Sequence, residues 1–342
     1  MKRYTTLLIV AFVFVTLSAI GTVYLSGYAG NASQKPDRSL LVYTTLPPEH
    51  VAILAAEYEK QHRVQIKFEP LSADNLLERL NKEKDKPVAD MVLADREVLE
   101  KAAKKEVFAE YISESSDMVA DVFCGADNSW TGVWYDPVVF CINSDYLKTL
   151  RRYPMSWADL PEYQSMRIGI TDFLAADASA NLLCFLVKNN GQANTFALLN
   201  RIHPQIVQYA KYLSTPVRMA GMNEVDLAIA VQSETMRYIS DGYPLKIIYP
   251  SEGTAYCLTG AGVLKDGEAG DPARAFADWL LSDEAQLALQ KHKFYFISTN
   301  PATMAYKMFG GKNIALFDDV PDFTEQKKHE LLDGWVKNVR LK

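Results

Sequence analysis

Lys246-Ile247-Ile248-Tyr249-Pro250-Ser251-Glu252-Gly253-Thr254 carries the reading of the fold. Pro250 has no N–H to give to a sheet ladder and Gly253 tolerates positive φ, so a strand over 245–249 must stop there and expose the carboxylate of Glu252. A short apolar strand follows over 258–264. Pro272 then opens a helix in which Ala275, Phe276, Trp279, Leu280, Ala285, Leu287 and Leu289 recur near helical spacing. Strand, polar turn, strand and helix together imply an open α/β sheet, which takes small molecules at strand ends and between lobes.

Working outward, the same alternation fills the chain. Strands are expected over 40–45, 64–69 and 89–93, with helices starting at Pro47-Pro48-Glu49 and running over 72–82 and 97–105; this rhythm predicts a mostly parallel sheet. A longer β-rich run over 130–143 breaks it and reads as a crossover between two lobes. Beyond it lie a capped turn at 156–160, a strand over 167–171, helices over 177–189 and 194–203, a strand over 225–231 and a helix over 234–241. The chain thus visits lobe one, then lobe two, then returns: 40–135 and 255–342 form lobe 1, and 136–254 form lobe 2. The tail, with a helix over 323–339, is expected to pack on lobe 1.

Hydrophobic residues at 49% and charged residues at 23% are globular proportions, which set aside disorder and a multi-span membrane protein. Met1-Lys2-Arg3 followed by an uncharged apolar stretch reads as an export segment over 1–29, either a cleaved signal peptide or an N-terminal membrane anchor. Without Lys2 and Arg3, 34 basic residues face 42 acidic ones, a formal charge of −8, so nucleic acid is a poor partner. Cys124, Cys141, Cys184 and Cys257 are either buried thiols or up to two disulfides, with Cys124 to Cys141 the first pairing to test. None has metal-site spacing. No GxSxG, HExxH or P-loop occurs, and His50, His62, His203, His292 and His329 lack a paired nucleophile, so neither catalytic residues nor a cofactor are expected.

Several segments in order resemble the extracellular solute-binding proteins of ABC transporters, in the family that includes ferric-iron, thiamine, phosphoglycerate and aminoethylphosphonate binders. They are Val42-Tyr43-Thr44-Thr45, Ala89-Asp90-Met91-Val92-Leu93-Ala94-Asp95, Phe140-Cys141-Ile142-Asn143, Ser156-Trp157-Ala158-Asp159-Leu160, Pro250-Ser251-Glu252-Gly253-Thr254 and 275–286. The resemblance spans 40–303. It implies a type 2 periplasmic-binding-protein fold: α/β, two-lobed, with two hinge crossovers and a central ligand cleft. It further implies an exported, periplasmic monomer that closes on one ligand and delivers it to a membrane permease.

Thr44 and Thr45 end the first strand and Asp95 the third, where hydroxyls, amides and a carboxylate face a cleft. Ser179 and Asn181, in Ala178-Ser179-Ala180-Asn181 at a helix start, suit an anion; helix capping explains Asp177 and Ser179 equally well. Glu224 and Glu252 flank strands and are candidates for an ammonium or a metal, or are solvated loop carboxylates. Trp130 and Tyr256 are candidates for aromatic walls, or for core. The ferric binders' adjacent tyrosine pair is replaced by Gln232-Ser233-Glu234, so a small organic anion (phosphonate, phosphate ester or carboxylate) is preferred to iron. A ferric-iron binder, a membrane-anchored sensor and an exported enzyme on this fold remain the alternatives.

Overall fold

The apolar run near residue 40 forms β1 (Arg38–Thr44), and the expected alternation continues through β2 (Val64–Pro70) and β3 (Met91–Asp95). A computed structural model describes residues 38–309 and 314–342; the expected export segment lies outside the described residues. Helix Pro48–His62 follows β1, helix Ala73–Lys82 follows β2 with Ser72 accepting from the Asn75 amide, and helix Arg96–Ala103 follows β3. Leu76 and Leu80, one helical turn apart, bury the inner face of the second of these.

The crossover is β4 (Thr131–Asn143), thirteen residues buried from Gly132 onward. Its first half pairs with β9 (Tyr256–Val263) and β10 (Ile297–Ser298), its second half with β7 (Leu227–Val231) and β8 (Leu245–Ile248). The exchange of partners falls at Pro137 and Val138. Pro137 has no amide to donate; the Val138 amide turns to Ala255 O at 2.8 Å, and Thr254 Oγ1 donates to Val138 O at 2.7 Å. Both crossings are therefore stitched to each other.

The full order is β2-β1-β3-β9-β4-β7-β5-β6, with β5 (Ile168–Thr171) and β6 (Ile206–Ala210) at the far side. The expectation of a mostly parallel sheet needs correction. β1 with β3, and β5 with β6 and β7, are parallel, but β4, β8, β9 and β10 pair antiparallel. A chain that crosses between halves and comes back must lay its two crossing strands in opposite directions.

One apolar core runs along both halves: Tyr43, Val92 and Leu99 in the first, Phe123, Tyr135 and Tyr256 at the crossings, Phe140, Phe185 and Ile229 in the second. The single helix expected beyond Pro272 is two, Gly270–Leu280 and Asp283–Lys291, because Ser282 restarts the chain by capping the Ala285 amide. The tail also differs from expectation. Helix Glu325–Trp335 packs on the second half, with Trp335 buried 4.8 Å from Phe173 and 5.6 Å from Tyr209. Its first turn also reaches the first half, through Glu325 and Lys328 to Lys101 and Glu97.

All four cysteines are free. Cys124 bridges to Thr131 at the start of β4, and Cys141 lies ten residues further along that strand. At roughly 3.3 Å per residue this separates them by about 30 Å, which rules out the Cys124 to Cys141 bridge.

Candidate functional site

The carboxyl ends of β1, β3, β5 and β7 converge on the amino end of β9, and the polar groups there define the site. Thr45 and Asp95 stand together at the ends of β1 and β3: Thr45 Oγ1 lies 3.3 Å from Asp95 Oδ2 and accepts from the Asp95 amide at 3.4 Å. Asp95 keeps contact with solvent, yet the protein crowded around it raises its carboxyl to about 6; the Asp177 carboxylate adds to the rise and Thr45 opposes it. From the second half, helix Asp177–Asn190 begins beside β9, where Asn181 Nδ2 donates to Tyr256 O at 3.0 Å and approaches Cys257 Sγ at 3.9 Å. Burial, then Asp136, Asp95 and Asp177, hold the Cys257 thiol firmly protonated.

Of the helix starts at this edge, the two that follow β5 and β7 differ. Helix Gln232–Ser240 follows β7 and is capped from outside itself: Asp136 of β4 accepts from Ser233 N at 2.9 Å and from Ser233 Oγ at 2.5 Å. Burial pushes the Asp136 carboxyl up to about 7 despite those two bonds. Gln232 is fully buried, donating to Phe309 O at 3.1 Å and accepting from Tyr249 Oη at 2.7 Å. An internal carboxylate and internal partners thus fill the first turn.

Helix Asp177–Asn190 has no side-chain cap at Ala176, and the amides of Asp177 and Ala178 meet no acceptor among the described residues. Its partial positive end remains open.

Among the sequence candidates, Thr45, Asp95 and Asn181 come together here. Thr44 sits beside them but is buried, donating to Leu93 O at 2.7 Å and accepting from the Leu46 amide at 3.1 Å; it ties β1 to β3. Ser179 is also buried, and its one proton goes to Asp172 O or Ala176 O, each 2.7 Å away, so it braces the helix start and has no proton left for a ligand.

The remaining candidates lie elsewhere. Glu224 precedes the amino end of β7, away from the converging carboxyl ends, and pairs with Arg218 at 3.3 Å. Glu252 accepts from the Ala158 amide at 3.1 Å and holds the 156–160 turn against the second crossing. Trp130 is buried beside Gly125 and Gly260, two positions where a Cβ would strike its ring. Tyr256 is core between Phe123, Tyr135 and Phe185, its hydroxyl accepting from Arg96 Nη1 at 3.0 Å. Sequence reasoning missed Asp136. The available signal was a lone carboxylate inside the apolar run Val133-Trp134-Tyr135-Asp136-Pro137-Val138-Val139.

The bacterial extracellular solute-binding protein model matches residues 86–307, about two thirds of the chain. The chain belongs to that family. Members bind small solutes and deliver them to ABC permeases, and several of the relatives found are described as binding proteins. A Haemophilus influenzae protein is 25% identical over 96% of this chain and 98% of its own. A Salmonella typhi protein, described provisionally as a 2-aminoethylphosphonate-binding periplasmic protein, is 22% identical over 67% of this chain and 68% of its own. Among solved structures, the periplasmic binding protein AfuA of Actinobacillus pleuropneumoniae with fructose 6-phosphate bound has a TM-score of 0.65 at 23% identity, covering 90% of this chain and 100% of that one. A Bordetella ferric binding protein has a TM-score of 0.72 at 20% identity, covering 88% and 99%. At such identities the structural likeness shows the fold alone: α/β, two-lobed, of the periplasmic-binding type. Among the described residues no helix is long and apolar enough to cross a membrane, and no three His, Cys, Asp or Glu side chains are grouped to hold a metal ion.

Proposed function

We propose that this solute-binding protein acts in the periplasm as the capture component of an ABC importer, and that its solute is a small phosphonate or phosphate ester. The lobes are residues 40–135 with 255 onward, and 136–254, except that the tail after residue 314 rides on the second lobe. The observation that carries the ligand class is the open start of helix Asp177–Asn190. Unbonded amides at Asp177 and Ala178 and the helix dipole favour an anion, whereas the helix start after β7 already holds Asp136.

The Asp177 carboxylate stands close enough to Asp95 to help raise its carboxyl. Two carboxylates beside one anion-favouring helix end suit a solute with a positive group as well, such as an aminoalkylphosphonate. The ferric-iron alternative is weaker because the tyrosine-pair position is Gln232-Ser233, both engaged internally. Titration calorimetry of the purified protein against 2-aminoethylphosphonate, fructose 6-phosphate, simple carboxylates and Fe(III) tests the reading. Saturable binding of a phosphonate or phosphate ester is expected; binding of Fe(III) or carboxylates alone would overturn it.

A further inference from the structure

We infer that Arg340, at the end of the tail, is an anion contact of this cleft, its two terminal guanidinium nitrogens donating to the phosphonyl or phosphoryl head of the solute. The inference rests on the proposed ligand class and names the side chain that reads it. Helix Glu325–Trp335 continues as a wider turn over Val336–Arg340, and the burial of Trp335 and Val339 fixes that turn on the second lobe.

Arg340 is thereby laid over the ring of Tyr209 at 4.4 Å, and its Nε lies 3.3 Å from Asp172 Oδ2. Asp172 directly follows β5, at the carboxyl edge, and its carbonyl is within 2.7 Å of the Ser179 hydroxyl in the first turn of helix Asp177–Asn190. Arg340, Asp172 and the open helix start are therefore contiguous.

The guanidinium is held at one end only. Tyr209 sets its plane and Asp172 takes Nε, while Nη1 and Nη2 meet no acceptor among the described residues. A planar fork whose outer edge is free matches two oxygens of a tetrahedral oxyanion. Other cations near the site are already committed: Arg96 to Tyr256 Oη and Val122 O, Lys101 and Lys328 to Glu97 and Glu325, Lys188 to Asp322. Lys211, following β6, lies 5.5 Å from the Tyr212 ring; it adds positive potential without a fixed geometry.

The test compares the full-length protein with Arg340→Gln and Arg340→Lys, using calorimetry with 2-aminoethylphosphonate, its monomethyl ester, fructose 6-phosphate and inorganic phosphate. The wild type is expected to prefer the dianion to the monoester. Arg340→Gln should lose at least about ten-fold in affinity for the dianions and most of that preference, while Arg340→Lys keeps part of both. If Arg340 merely staples the tail, dianion and monoester weaken equally, which overturns the inference, as does unchanged affinity in Arg340→Gln. A wild type that binds none of the four probes defeats the ligand class itself, and this inference with it.

Discussion

At the scale of single residues, Asp136 is a carboxyl whose behaviour departs far from its type. Its carboxyl is raised from 3.8 to about 7 by burial, so the native state holds the proton more tightly than the unfolded chain does. Stability is then lost as pH rises from about 4 through about 7, because ionisation leaves a charge in a dry strand that two Ser233 bonds only partly offset. Asp136→Asn lacks this titration. Its unfolding free energy relative to wild type should improve by on the order of 3 kcal/mol between pH 4 and pH 8, read by urea denaturation at each pH; a difference that stays flat with pH would contradict the account. Residue type and local position placed Thr45 and Asp95 at strand ends and Asn181 at a helix start, and the fold has them at those places. They did not expose the commitments of Thr44, Ser179, Glu224 and Glu252, because a hydroxyl or carboxylate looks free until its partner from a distant segment is in place.

Among the elements, helices were legible wherever apolar spacing and a cap coincided, as in Ala73–Lys82 behind Ser72. Edge strand β6 was not, since its burial changes irregularly along its length and gives no alternation to read. The tail helix shows a further limit. Its own sequence calls for an amphipathic helix, but only the aromatic pocket of Phe173 and Tyr209 determines which lobe receives Trp335. Trp335→Ala removes a fully buried indole and should cost about 3–5 kcal/mol of unfolding free energy, measured by chemical denaturation. A loss below about 1 kcal/mol would mean that the tail is not seated as described.

Across the whole molecule, the two lobes are joined by more than the crossing strands. Lys101 lies 2.7 Å from Glu97 and 2.8 Å from Glu325; Lys328 bonds Glu97 and lies 3.4 Å from Glu325. Glu325, held down to about 2 chiefly by Lys101, thus links the tail on one lobe to a helix of the other. These pairs are half-exposed, so their contribution is expected below about 1 kcal/mol and screened by salt. Lys328→Gln should lower the thermal midpoint slightly at low ionic strength and leave it unchanged near 1 M NaCl; an equal loss at both would point to packing instead. The sequence by itself determined that an α/β chain leaves one lobe and returns, because Pro250, Gly253 and the long β run before residue 143 are local signals that need no partner. Tertiary structure alone decided the direction of the crossing strands, the seat of the tail and which polar groups stay unsatisfied, because each depends on atoms brought together from segments far apart in the chain.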